Sequence, residues 1–442
     1  MMSAIARRRQ VRQAINPMEK EDVVEPPGRG PGQSSPLGRD RGEDTDGDFR
    51  VLLISPLRGL DPSSGDVTFT EQLLTSAPVG FRYTTYAEAL SRGDLLEIGS
   101  REHIAAVRGW ERTRALPSVA RRKTEYAVRR SGVAYREPVR VFRVRPGAFD
   151  LVHVHVFHTK FLGTHPPVVM SGGGPMRWLY EGAFGWPEWR LVIADAFDQA
   201  VSFAWGATLC AVRLGQAERF IAPNEQLRQW LVTRGWDTER IDVVHNFLAE
   251  QPSLVRHGRQ HPRVLGFVAK DFDAKGGPLV LAAFERLRRN HPDLRLVIVG
   301  SEPRHPGAWL EERGITWHPP LQRSKLLESV LPQIDILVYP SGVDTGVPFS
   351  TLEPLALGIP VVVSDYRGLP DLVEGGAGRV ARREVESVEK AVEDLLESQA
   401  WASASAAARK RFREAYSAET QVPRLRAIYD RVIREGGGRP AR

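Results

Sequence analysis

The sequence predicts an α/β protein made of two similar Rossmann-like halves. Two kinds of observation carry this. Short apolar runs rich in Val, Ile and Leu alternate with longer amphipathic segments, the pattern of parallel strands joined by helices. Glycine-rich loops follow several of these runs, at Gly65, at residues 171–174, at Gly276-Gly277 and at residues 342–346. Ligands of parallel sheets collect at such strand ends. The chain of 442 residues is long enough for two such domains and a tail.

Composition narrows the class of partner. Charged residues make up 26% and hydrophobic residues 42%, a globular balance. The formal net charge of +7 favours anionic partners such as nucleotides, phosphates or an anionic membrane face. Nucleic acid is not expected, because no helix-turn-helix, zinc or aromatic-platform signature accompanies the charge. The single cysteine, Cys210, excludes an intramolecular disulfide and a cysteine-based metal cluster. No apolar run approaches the ~20 residues needed to cross a bilayer. The amino-terminal MMSAIARRRQ lacks the apolar core of a secretory signal. The expectation is a cytoplasmic protein, with a peripheral position on the inner membrane face as a further option.

In chain order, residues 1–47 are rich in Arg, Pro, Gly and Ser and read as a disordered tail. The first domain spans residues 48–248 and opens with a strand at residues 49–55. Gly65 and Asp66 follow on a loop, and residues 69–74 read as a helix start. Residues 101–145 are dense in arginine with interleaved Trp110, Tyr126 and Val128, a pattern of basic amphipathic helices suited to an anionic membrane. The run DLVHVHVFH reads as a strand with His153 and His155 on one face and His158 just beyond its end. Spacing of i and i+2 without an acidic partner is poor for metal, so the expectation is buried, hydrogen-bonded histidines. A strand at residues 168–170 enters the loop Ser171-Gly172-Gly173-Gly174, which lets a ligand or backbone approach closely. Residues 191–195 read as a strand, residues 199–214 as a helix, and residues 224–234 as a helix capped by Asn224.

A polar linker at residues 249–262 leads to the second domain, residues 263–415, followed by a carboxyl-terminal helix and tail over residues 416–442. Lys270 and Lys275 lie on the loop after the strand Val264–Ala269, next to Gly276 and Gly277, a spacing suited to holding a diphosphate by point charges. The stretch YPSGVDTGVPFSTLEPLALGIPVVVSD makes a strand, a glycine-rich loop, a helix start and another strand. The helix N-terminus at Ser350, Thr351 and Leu352 carries partial positive charge and free N–H groups for phosphate. Glu353 either caps this helix or points at a ligand hydroxyl.

That stretch resembles the donor-site signature of retaining GT-B glycosyltransferases of family four: Glu, seven residues, Glu, then Ala-x-Gly-x-Pro-Val. Glu353 stands at the second Glu, and Ala356-Leu357-Gly358-Ile359-Pro360-Val361 follows in register. The first Glu falls on Thr345, beside Asp344. The segments FIAPNEQLRQWL and IDVVHNF resemble the end of a first GT-B domain and its crossing to the second. The resemblance implies the GT-B fold, with the last helix, over residues 422–434, returning to the first domain. It implies transfer of a hexosyl-type sugar from a UDP- or GDP-linked donor to an acceptor hydroxyl (glycan, lipid-linked or small molecule). The transfer would keep the anomeric configuration, use no cofactor or metal, and belong to the synthesis of cell-envelope polysaccharide or glycolipid.

The resemblance makes Lys270, Lys275 and Glu353 the catalytic residues. Gly65, Thr345, Ser350, Thr351, Leu352 and Trp317 become donor-binding, with Trp317 a candidate to stack on the base. His158, Ser171, Gly172 and Asp344 become acceptor or sugar contacts. Two departures stand out. Thr345 removes a carboxylate near the sugar, and the histidine that the family sets on the 171–175 loop is absent. They leave open a GT-B protein with weakened catalysis that binds a nucleotide sugar, or a nucleotide-sugar epimerase.

Overall fold

The computed structural model describes residues 48–55, 65–98, 140–155, 159–182, 184–205, 217–249, 261–303 and 305–436. The expected amino-terminal tail, most of the 101–145 segment, most of the linker and His158 lie outside these residues.

The first domain holds strands β1 (Phe49–Ile54), β2 (Phe81–Thr85), β3 (Leu95–Glu97), β4 (Arg140–Val144), β5 (Leu151–His155), β6 (Thr159–Phe161), β7 (Val168–Ser171), β8 (Arg219–Ala222) and β9 (Ile241–Val243). Six of them form one parallel sheet in the order β2-β1-β5-β7-β8-β9. The chain changes direction between β1 and β5, which leaves a crevice at their carboxyl ends. The other three make a small sheet, β3-β4-β6, buttressed by Arg140, which bonds Glu97 at 2.7 and 3.0 Å. Arg140–Val144 is therefore a strand, against the amphipathic helix expected there. Its Val141, Phe142 and Val144 are buried while Arg143 is exposed, a period nearer two than 3.6.

Helices α1 (Gly65–Thr75), α2 (Tyr86–Ser91), α3 (Met176–Gly182), α4 (Glu188–Trp205) and α5 (Glu225–Thr233) pack around these sheets. The expected strand at residues 191–195 lies inside α4. Leu191 and Ala194 are buried while Val192 and Ile193 are 52% and 45% exposed. That is helical spacing, and a five-residue apolar run cannot be assigned to strand or helix by periodicity alone. Asn224 caps α5 as expected, its Oδ1 accepting from Leu227 N at 2.8 Å.

The second domain is a six-stranded parallel sheet of β10 (Val264–Ala269), β11 (Arg295–Gly300), β12 (Ile315–His318), β13 (Ile336–Tyr339), β14 (Val361–Ser364) and β15 (Gly378–Ala381). Their order is β12-β11-β10-β13-β14-β15, the doubly wound arrangement with its switch point between β10 and β13. Strand interiors such as Leu296–Val299 and residues 361–363 are almost wholly buried, as in sheets covered on both faces. Helices α6 (Gly277–Asn290), α7 (Gly307–Glu312), α8 (Phe349–Ala356), α9 (Val385–Leu396) and α10 (Ser398–Ala415) cover them.

The last helix, α11 (Ala418–Gly436), returns to the first domain. Its entry is tied by Leu248 N to Tyr416 O at 3.1 Å and by Ala418 N to Leu248 O at 2.9 Å. Further along, Tyr429 O–H sits 2.8 Å from Tyr83 O–H and 2.5 Å from His153 Nδ1, deep in the first domain. No helix among the described residues is long and apolar enough to cross a membrane.

Candidate active site

The two switch points face each other, and between them lies a cleft of about 450 Å³. Its first wall comes from the ends of β5 and β7 and the start of α1, with Gly65, Asp66, Phe69, His155, Ser171 and Gly172. The second wall comes from the ends of β10, β11 and β13 and the start of α8, with Lys270, Lys275, Gly300, Asp344, Thr345, Ser350 and Glu353.

Results

Sequence analysis

The sequence predicts an α/β protein made of two similar Rossmann-like halves. Two kinds of observation carry this. Short apolar runs rich in Val, Ile and Leu alternate with longer amphipathic segments, the pattern of parallel strands joined by helices. Glycine-rich loops follow several of these runs, at Gly65, at residues 171–174, at Gly276-Gly277 and at residues 342–346. Ligands of parallel sheets collect at such strand ends. The chain of 442 residues is long enough for two such domains and a tail.

Composition narrows the class of partner. Charged residues make up 26% and hydrophobic residues 42%, a globular balance. The formal net charge of +7 favours anionic partners such as nucleotides, phosphates or an anionic membrane face. Nucleic acid is not expected, because no helix-turn-helix, zinc or aromatic-platform signature accompanies the charge. The single cysteine, Cys210, excludes an intramolecular disulfide and a cysteine-based metal cluster. No apolar run approaches the ~20 residues needed to cross a bilayer. The amino-terminal MMSAIARRRQ lacks the apolar core of a secretory signal. The expectation is a cytoplasmic protein, with a peripheral position on the inner membrane face as a further option.

In chain order, residues 1–47 are rich in Arg, Pro, Gly and Ser and read as a disordered tail. The first domain spans residues 48–248 and opens with a strand near residues 49–55. Gly65 and Asp66 follow on a loop, and residues 69–74 read as a helix start. Residues 101–145 are dense in arginine with interleaved Trp110, Tyr126 and Val128, a pattern of basic amphipathic helices suited to an anionic membrane. The run DLVHVHVFH reads as a strand with His153 and His155 on one face and His158 just beyond its end. Spacing of i and i+2 without an acidic partner is poor for metal, so the expectation is buried, hydrogen-bonded histidines. A strand at residues 168–170 enters the loop Ser171-Gly172-Gly173-Gly174, which lets a ligand or backbone approach closely. Residues 191–195 read as a strand, residues 199–214 as a helix, and residues 224–234 as a helix capped by Asn224.

A polar linker at residues 249–262 leads to the second domain, residues 263–415, followed by a carboxyl-terminal helix and tail over residues 416–442. Lys270 and Lys275 lie on the loop after the strand Val264–Ala269, next to Gly276 and Gly277, a spacing suited to holding a diphosphate by point charges. The stretch YPSGVDTGVPFSTLEPLALGIPVVVSD makes a strand end, a glycine-rich loop, a helix start and another strand. The helix N-terminus at Ser350, Thr351 and Leu352 carries partial positive charge and N–H groups for phosphate. Glu353 either caps this helix or points at a ligand hydroxyl.

That stretch resembles the donor-site signature of retaining GT-B glycosyltransferases of family four: Glu, seven residues, Glu, then Ala-x-Gly-x-Pro-Val. Glu353 stands at the second Glu, and Ala356-Leu357-Gly358-Ile359-Pro360-Val361 follows in register. The first Glu falls on Thr345, beside Asp344. The segments FIAPNEQLRQWL and IDVVHNF resemble the end of a first GT-B domain and its crossing to the second. The resemblance implies the GT-B fold, with the last helix, over residues 422–434, returning to the first domain. It implies transfer of a hexosyl-type sugar from a UDP- or GDP-linked donor to an acceptor hydroxyl (glycan, lipid-linked or small molecule). The transfer would keep the anomeric configuration, use no cofactor or metal, and belong to the synthesis of cell-envelope polysaccharide or glycolipid.

The resemblance makes Lys270, Lys275 and Glu353 the catalytic residues. Gly65, Thr345, Ser350, Thr351, Leu352 and Trp317 become donor-binding, with Trp317 a candidate to stack on the base. His158, Ser171, Gly172 and Asp344 become acceptor or sugar contacts. Two departures stand out. Thr345 removes a carboxylate near the sugar, and the histidine that the family sets on the 171–175 loop is absent. They leave open a GT-B protein with weakened catalysis that binds a nucleotide sugar, or a nucleotide-sugar epimerase.

Overall fold

The computed structural model describes residues 48–55, 65–98, 140–155, 159–182, 184–205, 217–249, 261–303 and 305–436. The expected amino-terminal tail, most of the 101–145 segment, most of the linker and His158 lie outside these residues.

The first domain holds strands β1 (Phe49–Ile54), β2 (Phe81–Thr85), β3 (Leu95–Glu97), β4 (Arg140–Val144), β5 (Leu151–His155), β6 (Thr159–Phe161), β7 (Val168–Ser171), β8 (Arg219–Ala222) and β9 (Ile241–Val243). Six of them form one parallel sheet in the order β2-β1-β5-β7-β8-β9. The strand order reverses between β1 and β5, which leaves a crevice at their carboxyl ends. The other three make a small sheet, β3-β4-β6, buttressed by Arg140, which bonds Glu97 at 2.7 and 3.0 Å. Arg140–Val144 is therefore a strand, against the amphipathic helix expected there. Its Phe142 and Val144 are buried while Arg143 between them is exposed, which is the alternation of a strand.

Helices α1 (Gly65–Thr75), α2 (Tyr86–Ser91), α3 (Met176–Gly182), α4 (Glu188–Trp205) and α5 (Glu225–Thr233) belong to this domain. The expected strand at residues 191–195 lies inside α4. Leu191 and Ala194 are buried while Val192 and Ile193 are 52% and 45% exposed. That is helical spacing, and a five-residue apolar run cannot be assigned to strand or helix by periodicity alone. Asn224 caps α5 as expected, its Oδ1 accepting from Leu227 N at 2.8 Å.

The second domain is a six-stranded parallel sheet of β10 (Val264–Ala269), β11 (Arg295–Gly300), β12 (Ile315–His318), β13 (Ile336–Tyr339), β14 (Val361–Ser364) and β15 (Gly378–Ala381). Their order is β12-β11-β10-β13-β14-β15, the doubly wound arrangement with its switch point between β10 and β13. Strand interiors such as residues 296–299 and 361–363 are almost wholly buried, as in sheets covered on both faces. Helices α6 (Gly277–Asn290), α7 (Gly307–Glu312), α8 (Phe349–Ala356), α9 (Val385–Leu396) and α10 (Ser398–Ala415) complete the domain.

The last helix, α11 (Ala418–Gly436), returns to the first domain. Its entry is tied by Leu248 N to Tyr416 O at 3.1 Å and by Ala418 N to Leu248 O at 2.9 Å. Further along, the Tyr429 hydroxyl sits 2.8 Å from that of Tyr83 and 2.5 Å from His153 Nδ1, deep in the first domain. No helix among the described residues is long and apolar enough to cross a membrane.

Candidate active site

The two switch points face each other, and between them lies a cleft of about 450 Å³. Its first wall comes from the ends of β5 and β7 and the start of α1, with Gly65, Asp66, Phe69, His155, Ser171 and Gly172. The second wall comes from the loops after β10, β11 and β13 and the start of α8, with Lys270, Lys275, Asp344, Thr345, Ser350 and Glu353.

Results

Sequence analysis

The sequence predicts an α/β protein made of two similar Rossmann-like halves. Two kinds of observation carry this. Short apolar runs rich in Val, Ile and Leu alternate with longer amphipathic segments, the pattern of parallel strands joined by helices. Glycine-rich loops follow several of these runs, at Gly65, at residues 171–174, at Gly276-Gly277 and at residues 342–346. Ligands of parallel sheets collect at such strand ends. The chain of 442 residues is long enough for two such domains and a tail.

Composition narrows the class of partner. Charged residues make up 26% and hydrophobic residues 42%, a globular balance. The formal net charge of +7 favours anionic partners such as nucleotides, phosphates or an anionic membrane face. Nucleic acid is not expected, because no helix-turn-helix, zinc or aromatic-platform signature accompanies the charge. The single cysteine, Cys210, excludes an intramolecular disulfide and a cysteine-based metal cluster. No apolar run approaches the ~20 residues needed to cross a bilayer. The amino-terminal MMSAIARRRQ lacks the apolar core of a secretory signal. The expectation is a cytoplasmic protein, with a peripheral position on the inner membrane face as a further option.

In chain order, residues 1–47 are rich in Arg, Pro, Gly and Ser and read as a disordered tail. The first domain spans residues 48–248 and opens with a strand near residues 49–55. Gly65 and Asp66 follow on a loop, and residues 69–74 read as a helix start. Residues 101–145 are dense in arginine with interleaved Trp110, Tyr126 and Val128, a pattern of basic amphipathic helices suited to an anionic membrane. The run DLVHVHVFH reads as a strand with His153 and His155 on one face and His158 just beyond its end. Spacing of i and i+2 without an acidic partner is poor for metal, so the expectation is buried, hydrogen-bonded histidines. A strand at residues 168–170 enters the loop Ser171-Gly172-Gly173-Gly174, which lets a ligand or backbone approach closely. Residues 191–195 read as a strand, residues 199–214 as a helix, and residues 224–234 as a helix capped by Asn224.

A polar linker at residues 249–262 leads to the second domain, residues 263–415, followed by a carboxyl-terminal helix and tail over residues 416–442. Lys270 and Lys275 lie on the loop after the strand Val264–Ala269, next to Gly276 and Gly277, a spacing suited to holding a diphosphate by point charges. The stretch YPSGVDTGVPFSTLEPLALGIPVVVSD makes a strand end, a glycine-rich loop, a helix start and another strand. The helix N-terminus at Ser350, Thr351 and Leu352 carries partial positive charge and N–H groups for phosphate. Glu353 either caps this helix or points at a ligand hydroxyl.

That stretch resembles the donor-site signature of retaining GT-B glycosyltransferases of family four: Glu, seven residues, Glu, then Ala-x-Gly-x-Pro-Val. Glu353 stands at the second Glu, and Ala356-Leu357-Gly358-Ile359-Pro360-Val361 follows in register. The first Glu falls on Thr345, beside Asp344. The segments FIAPNEQLRQWL and IDVVHNF resemble the end of a first GT-B domain and its crossing to the second. The resemblance implies the GT-B fold, with the last helix, over residues 422–434, returning to the first domain. It implies transfer of a hexosyl-type sugar from a UDP- or GDP-linked donor to an acceptor hydroxyl (glycan, lipid-linked or small molecule). The transfer would keep the anomeric configuration, use no cofactor or metal, and belong to the synthesis of cell-envelope polysaccharide or glycolipid.

The resemblance makes Lys270, Lys275 and Glu353 the catalytic residues. Gly65, Thr345, Ser350, Thr351, Leu352 and Trp317 become donor-binding, with Trp317 a candidate to stack on the base. His158, Ser171, Gly172 and Asp344 become acceptor or sugar contacts. Two departures stand out. Thr345 removes a carboxylate near the sugar, and the histidine that the family sets on the 171–175 loop is absent. They leave open a GT-B protein with weakened catalysis that binds a nucleotide sugar, or a nucleotide-sugar epimerase.

Overall fold

The computed structural model describes residues 48–55, 65–98, 140–155, 159–182, 184–205, 217–249, 261–303 and 305–436. The expected amino-terminal tail, most of the 101–145 segment, most of the linker and His158 lie outside these residues.

The first domain holds strands β1 (Phe49–Ile54), β2 (Phe81–Thr85), β3 (Leu95–Glu97), β4 (Arg140–Val144), β5 (Leu151–His155), β6 (Thr159–Phe161), β7 (Val168–Ser171), β8 (Arg219–Ala222) and β9 (Ile241–Val243). Six of them form one parallel sheet in the order β2-β1-β5-β7-β8-β9. The strand order reverses between β1 and β5, which leaves a crevice at their carboxyl ends. The other three make a small sheet, β3-β4-β6, buttressed by Arg140, which bonds Glu97 at 2.7 and 3.0 Å. Arg140–Val144 is therefore a strand, against the amphipathic helix expected there. Its Phe142 and Val144 are buried while Arg143 between them is exposed, which is the alternation of a strand.

Helices α1 (Gly65–Thr75), α2 (Tyr86–Ser91), α3 (Met176–Gly182), α4 (Glu188–Trp205) and α5 (Glu225–Thr233) belong to this domain. The expected strand at residues 191–195 lies inside α4. Leu191 and Ala194 are buried while Val192 and Ile193 are 52% and 45% exposed. That is helical spacing, and a five-residue apolar run cannot be assigned to strand or helix by periodicity alone. Asn224 caps α5 as expected, its Oδ1 accepting from Leu227 N at 2.8 Å.

The second domain is a six-stranded parallel sheet of β10 (Val264–Ala269), β11 (Arg295–Gly300), β12 (Ile315–His318), β13 (Ile336–Tyr339), β14 (Val361–Ser364) and β15 (Gly378–Ala381). Their order is β12-β11-β10-β13-β14-β15, the doubly wound arrangement with its switch point between β10 and β13. Strand interiors such as residues 296–299 and 361–363 are almost wholly buried, as in sheets covered on both faces. Helices α6 (Gly277–Asn290), α7 (Gly307–Glu312), α8 (Phe349–Ala356), α9 (Val385–Leu396) and α10 (Ser398–Ala415) complete the domain.

The last helix, α11 (Ala418–Gly436), returns to the first domain. Its entry is tied by Leu248 N to Tyr416 O at 3.1 Å and by Ala418 N to Leu248 O at 2.9 Å. Further along, the Tyr429 hydroxyl sits 2.8 Å from that of Tyr83 and 2.5 Å from His153 Nδ1, deep in the first domain. No helix among the described residues is long and apolar enough to cross a membrane.

Candidate active site

The two switch points face each other, and between them lies a cleft of about 450 Å³. Its first wall comes from the ends of β5 and β7 and the start of α1, with Gly65, Asp66, Phe69, His155, Ser171 and Gly172. The second wall comes from the loops after β10, β11 and β13 and the start of α8, with Lys270, Lys275, Asp344, Thr345, Ser350 and Glu353. Residues far apart in the chain thus converge on one space.

On the second wall, full charges are held in pairs. Lys275 Nζ lies 2.6 Å from Asp344 Oδ1, and the Tyr339 hydroxyl is 3.5 Å from the same oxygen. Burial works against the Lys275 ammonium, but the Asp344 carboxylate outweighs it and holds the lysine charged, above its ordinary range. Asp344 is only 8% exposed, and its Oδ2 has no hydrogen-bond partner among the described residues. The second pair joins Arg323 Nε to Glu353 Oε1 at 2.6 Å. Burial pushes the Glu353 carboxyl up, and Arg323 pulls it back down. Glu353 does not cap α8, whose N-cap is Pro348 with no side-chain cap.

The start of α8 is more selective than expected. Ser350 lines the cleft, whereas Thr351 and Leu352 are fully buried. Their amides reach Pro348 O at 3.0 and 3.3 Å, closing the first turn, and Thr351 Oγ1 also donates there. Trp317 is placed outside the cleft lining: its indole N–H donates to Gly300 O at 3.1 Å. Through that bond the indole braces the end of β11. Gly300 itself has φ +140, and a Cβ there would run into the Ala269 carbonyl oxygen, so glycine is required where β10 and β11 end.

On the first wall two histidines and a serine are joined by hydrogen bonds. His153 Nε2 and His155 Nδ1 both meet Ser171 Oγ, at 2.7 and 2.8 Å, and His153 Nδ1 meets Tyr429. Burial, with the neighbouring His155 adding to it, lowers the His153 pKa to about 3 and keeps the ring neutral. The expectation of buried, hydrogen-bonded strand histidines therefore holds. Phe69 stacks on His155 with ring centroids 4.2 Å apart, and His155 Nε2 faces Asp66 Oδ1 at 3.5 Å. Ser171, proposed as a ligand contact, spends its hydroxyl on the two histidines.

The walls also touch. Thr345 O accepts from Trp178 Nε1 at 3.4 Å and from Asn224 Nδ2 at 3.5 Å. A Cβ at Gly173 would overlap Thr345 Oγ1. The two departures in sequence, at residue 345 and on the 171–175 loop, are thus neighbours in space across the domain boundary. Nearby, Arg367 of the second domain lies over the Trp178 ring at 3.6 Å and donates to Trp178 O at 2.5 Å.

Sequence reasoning missed Arg323. It lies 30 positions from Glu353 in the chain, at the start of a turn that passes into a π-helix over Leu326–Val330. Its only local signal is an arginine in a polar turn between two strands.

Two facing Rossmann-like domains with a shared cleft and a returning last helix make the GT-B fold of glycosyltransferases. Residues 255–416 match the family model described as glycosyl transferases group 1. Over 204 residues the chain is 31% identical to glycogen synthase of Mycobacterium tuberculosis, covering 43% of this chain and 48% of that enzyme. The chain thus spans about half the length of the curated relatives it matches. Among solved structures, Anabaena HepE in complex with UDP and glucose aligns with a TM-score of 0.54 at 14% identity, over 87% of this chain and 100% of that one. Sucrose-phosphate synthase from Thermosynechococcus elongatus aligns with a TM-score of 0.56 at 13% identity, over 88% and 100%. These two likenesses are likenesses of fold.

Proposed function

We propose that the chain is a glycosyltransferase that moves a hexosyl-type sugar from a nucleotide-sugar donor to an acceptor hydroxyl, with retention and without a metal ion. The observation that carries this is the second wall of the cleft, where Lys275, Lys270 and the start of α8 surround one space at a sheet switch point. In the reaction, the bond from the anomeric carbon to the diphosphate breaks, the bond to the acceptor oxygen forms, and the acceptor proton leaves with the diphosphate. Negative charge grows on the leaving oxygen, and the lysines and the helix N-terminus stabilise it there. That electrostatic role is the one a metal ion would otherwise fill. Glu353 accepts from the ribose hydroxyls, and Asp344, on the cleft lining, stands in for the carboxylate missing at Thr345. The solved HepE complexes with UDP and with UDP-glucose favour a uridine donor, with a GDP-linked donor as the alternative.

The acceptor is a glycan, a lipid-linked sugar or a small molecule, reached along the first wall. The domain limits of the sequence reading, a cytoplasmic location and a membrane contact through residues 101–145 go with this proposal. A second reading is favoured by the 171–175 loop, at Ser171 or Gly172, and by Thr345, where two expected side chains are absent: a GT-B protein with weakened chemistry that binds a nucleotide sugar, or an epimerase. Incubation with UDP- and GDP-hexoses, followed by analysis of the sugar products, tests the reading. Slow release of free nucleotide, or transfer to added acceptor glycans, supports a transferase. Interconversion of donor sugars without an acceptor indicates an epimerase, and binding with no product indicates the weakened form.

A further inference from the structure

Glu353 is buried in the cleft wall, 5% exposed, and Arg323 is its one ionic partner among the described residues. The two arrive from separate elements, α8 and the turn after β12, and only the fold joins them. Arg323 also lines the cleft. Its Nε is committed to Glu353 Oε1 at 2.6 Å, which leaves both Nη groups without a protein acceptor among the described residues. The π-helical turn that follows is a local distortion of a kind that gathers at functional sites.

We infer that Arg323 is a positioning residue of the nucleotide site: its Nε fixes the Glu353 carboxylate at the cleft wall, while its Nη groups remain for oxygens of a ribonucleoside diphosphate. The inference rests on the nucleotide-sugar reading and adds a residue that neither the sequence motif nor the comparisons assign. A guanidinium suits the task because its planar fork can serve a carboxylate and a ligand oxygen together, whereas a lysine is a point charge.

The test follows from what Glu353 loses without Arg323. Burial raises the Glu353 pKa and Arg323 opposes it. The other charged or titratable groups around the cleft are Lys270 and Lys275 on the loop after β10, Tyr339 and Asp344 at the end of β13, and Asp66 and His155 on the facing wall. With Arg323 removed, burial acts unopposed, so the carboxylate is lost at a higher pH. UDP and GDP binding by calorimetry is compared for wild type, Arg323→Gln, Arg323→Lys and Arg323→Gln/Glu353→Gln between about pH 6 and about pH 8.5. Referring each variant to wild type at the same pH cancels titration of the nucleotide phosphates.

The affinity of Arg323→Gln relative to wild type is expected to fall as pH falls, by about tenfold across the range. Arg323→Lys is expected to be weaker than wild type but flat with pH, and the double variant flat as well. An Arg323→Gln curve that is flat relative to wild type, or one equal to wild type, overturns the inference while the nucleotide-sugar reading stands. Binding of neither nucleotide by wild type overturns that reading, and the inference with it. Should the glutamine variant not fold, Arg323→Lys decides: affinity equal to wild type at every pH counts against the role.

Discussion

The two walls of the cleft keep polar groups ordered in a buried place by opposite means. The second domain pairs full charges, Lys275 with Asp344 and Arg323 with Glu353. The first domain uses a hydrogen-bonded chain from Tyr83 through Tyr429, His153 and Ser171 to His155. A buried ion pair holds its members charged only while both are present, and an incoming anion can compete for the cation. A hydrogen-bonded chain of this kind offers no such exchange but fixes shape.

The comparison can be broken most directly at Lys275. Lys275→Ala leaves the Asp344 carboxylate buried without its cation, and the expected loss of stability is about 3–5 kcal/mol in urea unfolding. Removing Asp344 as well should recover much of it. A single variant as stable as wild type would mean the pair is not a buried ion pair at all.

The first wall answers to pH instead. His153 is held neutral in the fold, with its pKa lowered to about 3, while the unfolded chain binds a proton near pH 6.5. Its contribution is fully present above that pH and is lost as pH falls towards the folded value, by about 1.4 kcal/mol per pH unit at most. His153→Asn should flatten that part of the stability profile, measured by thermal unfolding. An unchanged slope would assign the acid sensitivity elsewhere.

The seam between the walls comes next. Gly173→Ala should cost about 1–3 kcal/mol through overlap with Thr345. Thr345→Gly in the same chain should relieve it, and an additive pair would show that the two do not touch. Tyr429→Phe removes hydrogen bonds to His153 and Tyr83 at about 1 kcal/mol each, a loss of about 2 kcal/mol in the same range. Nucleotide affinity should not move, because the loss lies in the first domain behind the wall.

Much of this was legible in the sequence, for reasons that name its limits. The strands of the second domain are buried on both faces, so their apolar runs stand out, and the loop residues Lys270, Lys275 and Ser350 sit where those runs end. The strand histidines were readable because alternation puts His153 and His155 on one face. What stayed hidden was pairing at long range. Lys275 and Asp344 are 69 positions apart, and only the sheet order brings them together. Arg323 is silent for the same reason. Residues 191–195 misled because an apolar run that short suits either period, and the neighbours that decide it are in α3, where Arg177 pairs with Asp195. The Trp317 bond to Gly300 O was not legible either, because support of a strand end leaves no mark in one dimension.

The central claim is that the charge pairs of the second wall form a nucleotide-sugar site. The most direct measurement is calorimetric binding of UDP-glucose and GDP-mannose to wild type, Lys275→Ala and Glu353→Ala, with folding of each variant checked by circular dichroism. Saturable binding of one donor by wild type, lost in both folded variants, is the predicted result. Donor affinity unchanged in both variants, or no binding by wild type to any nucleotide sugar, would contradict it.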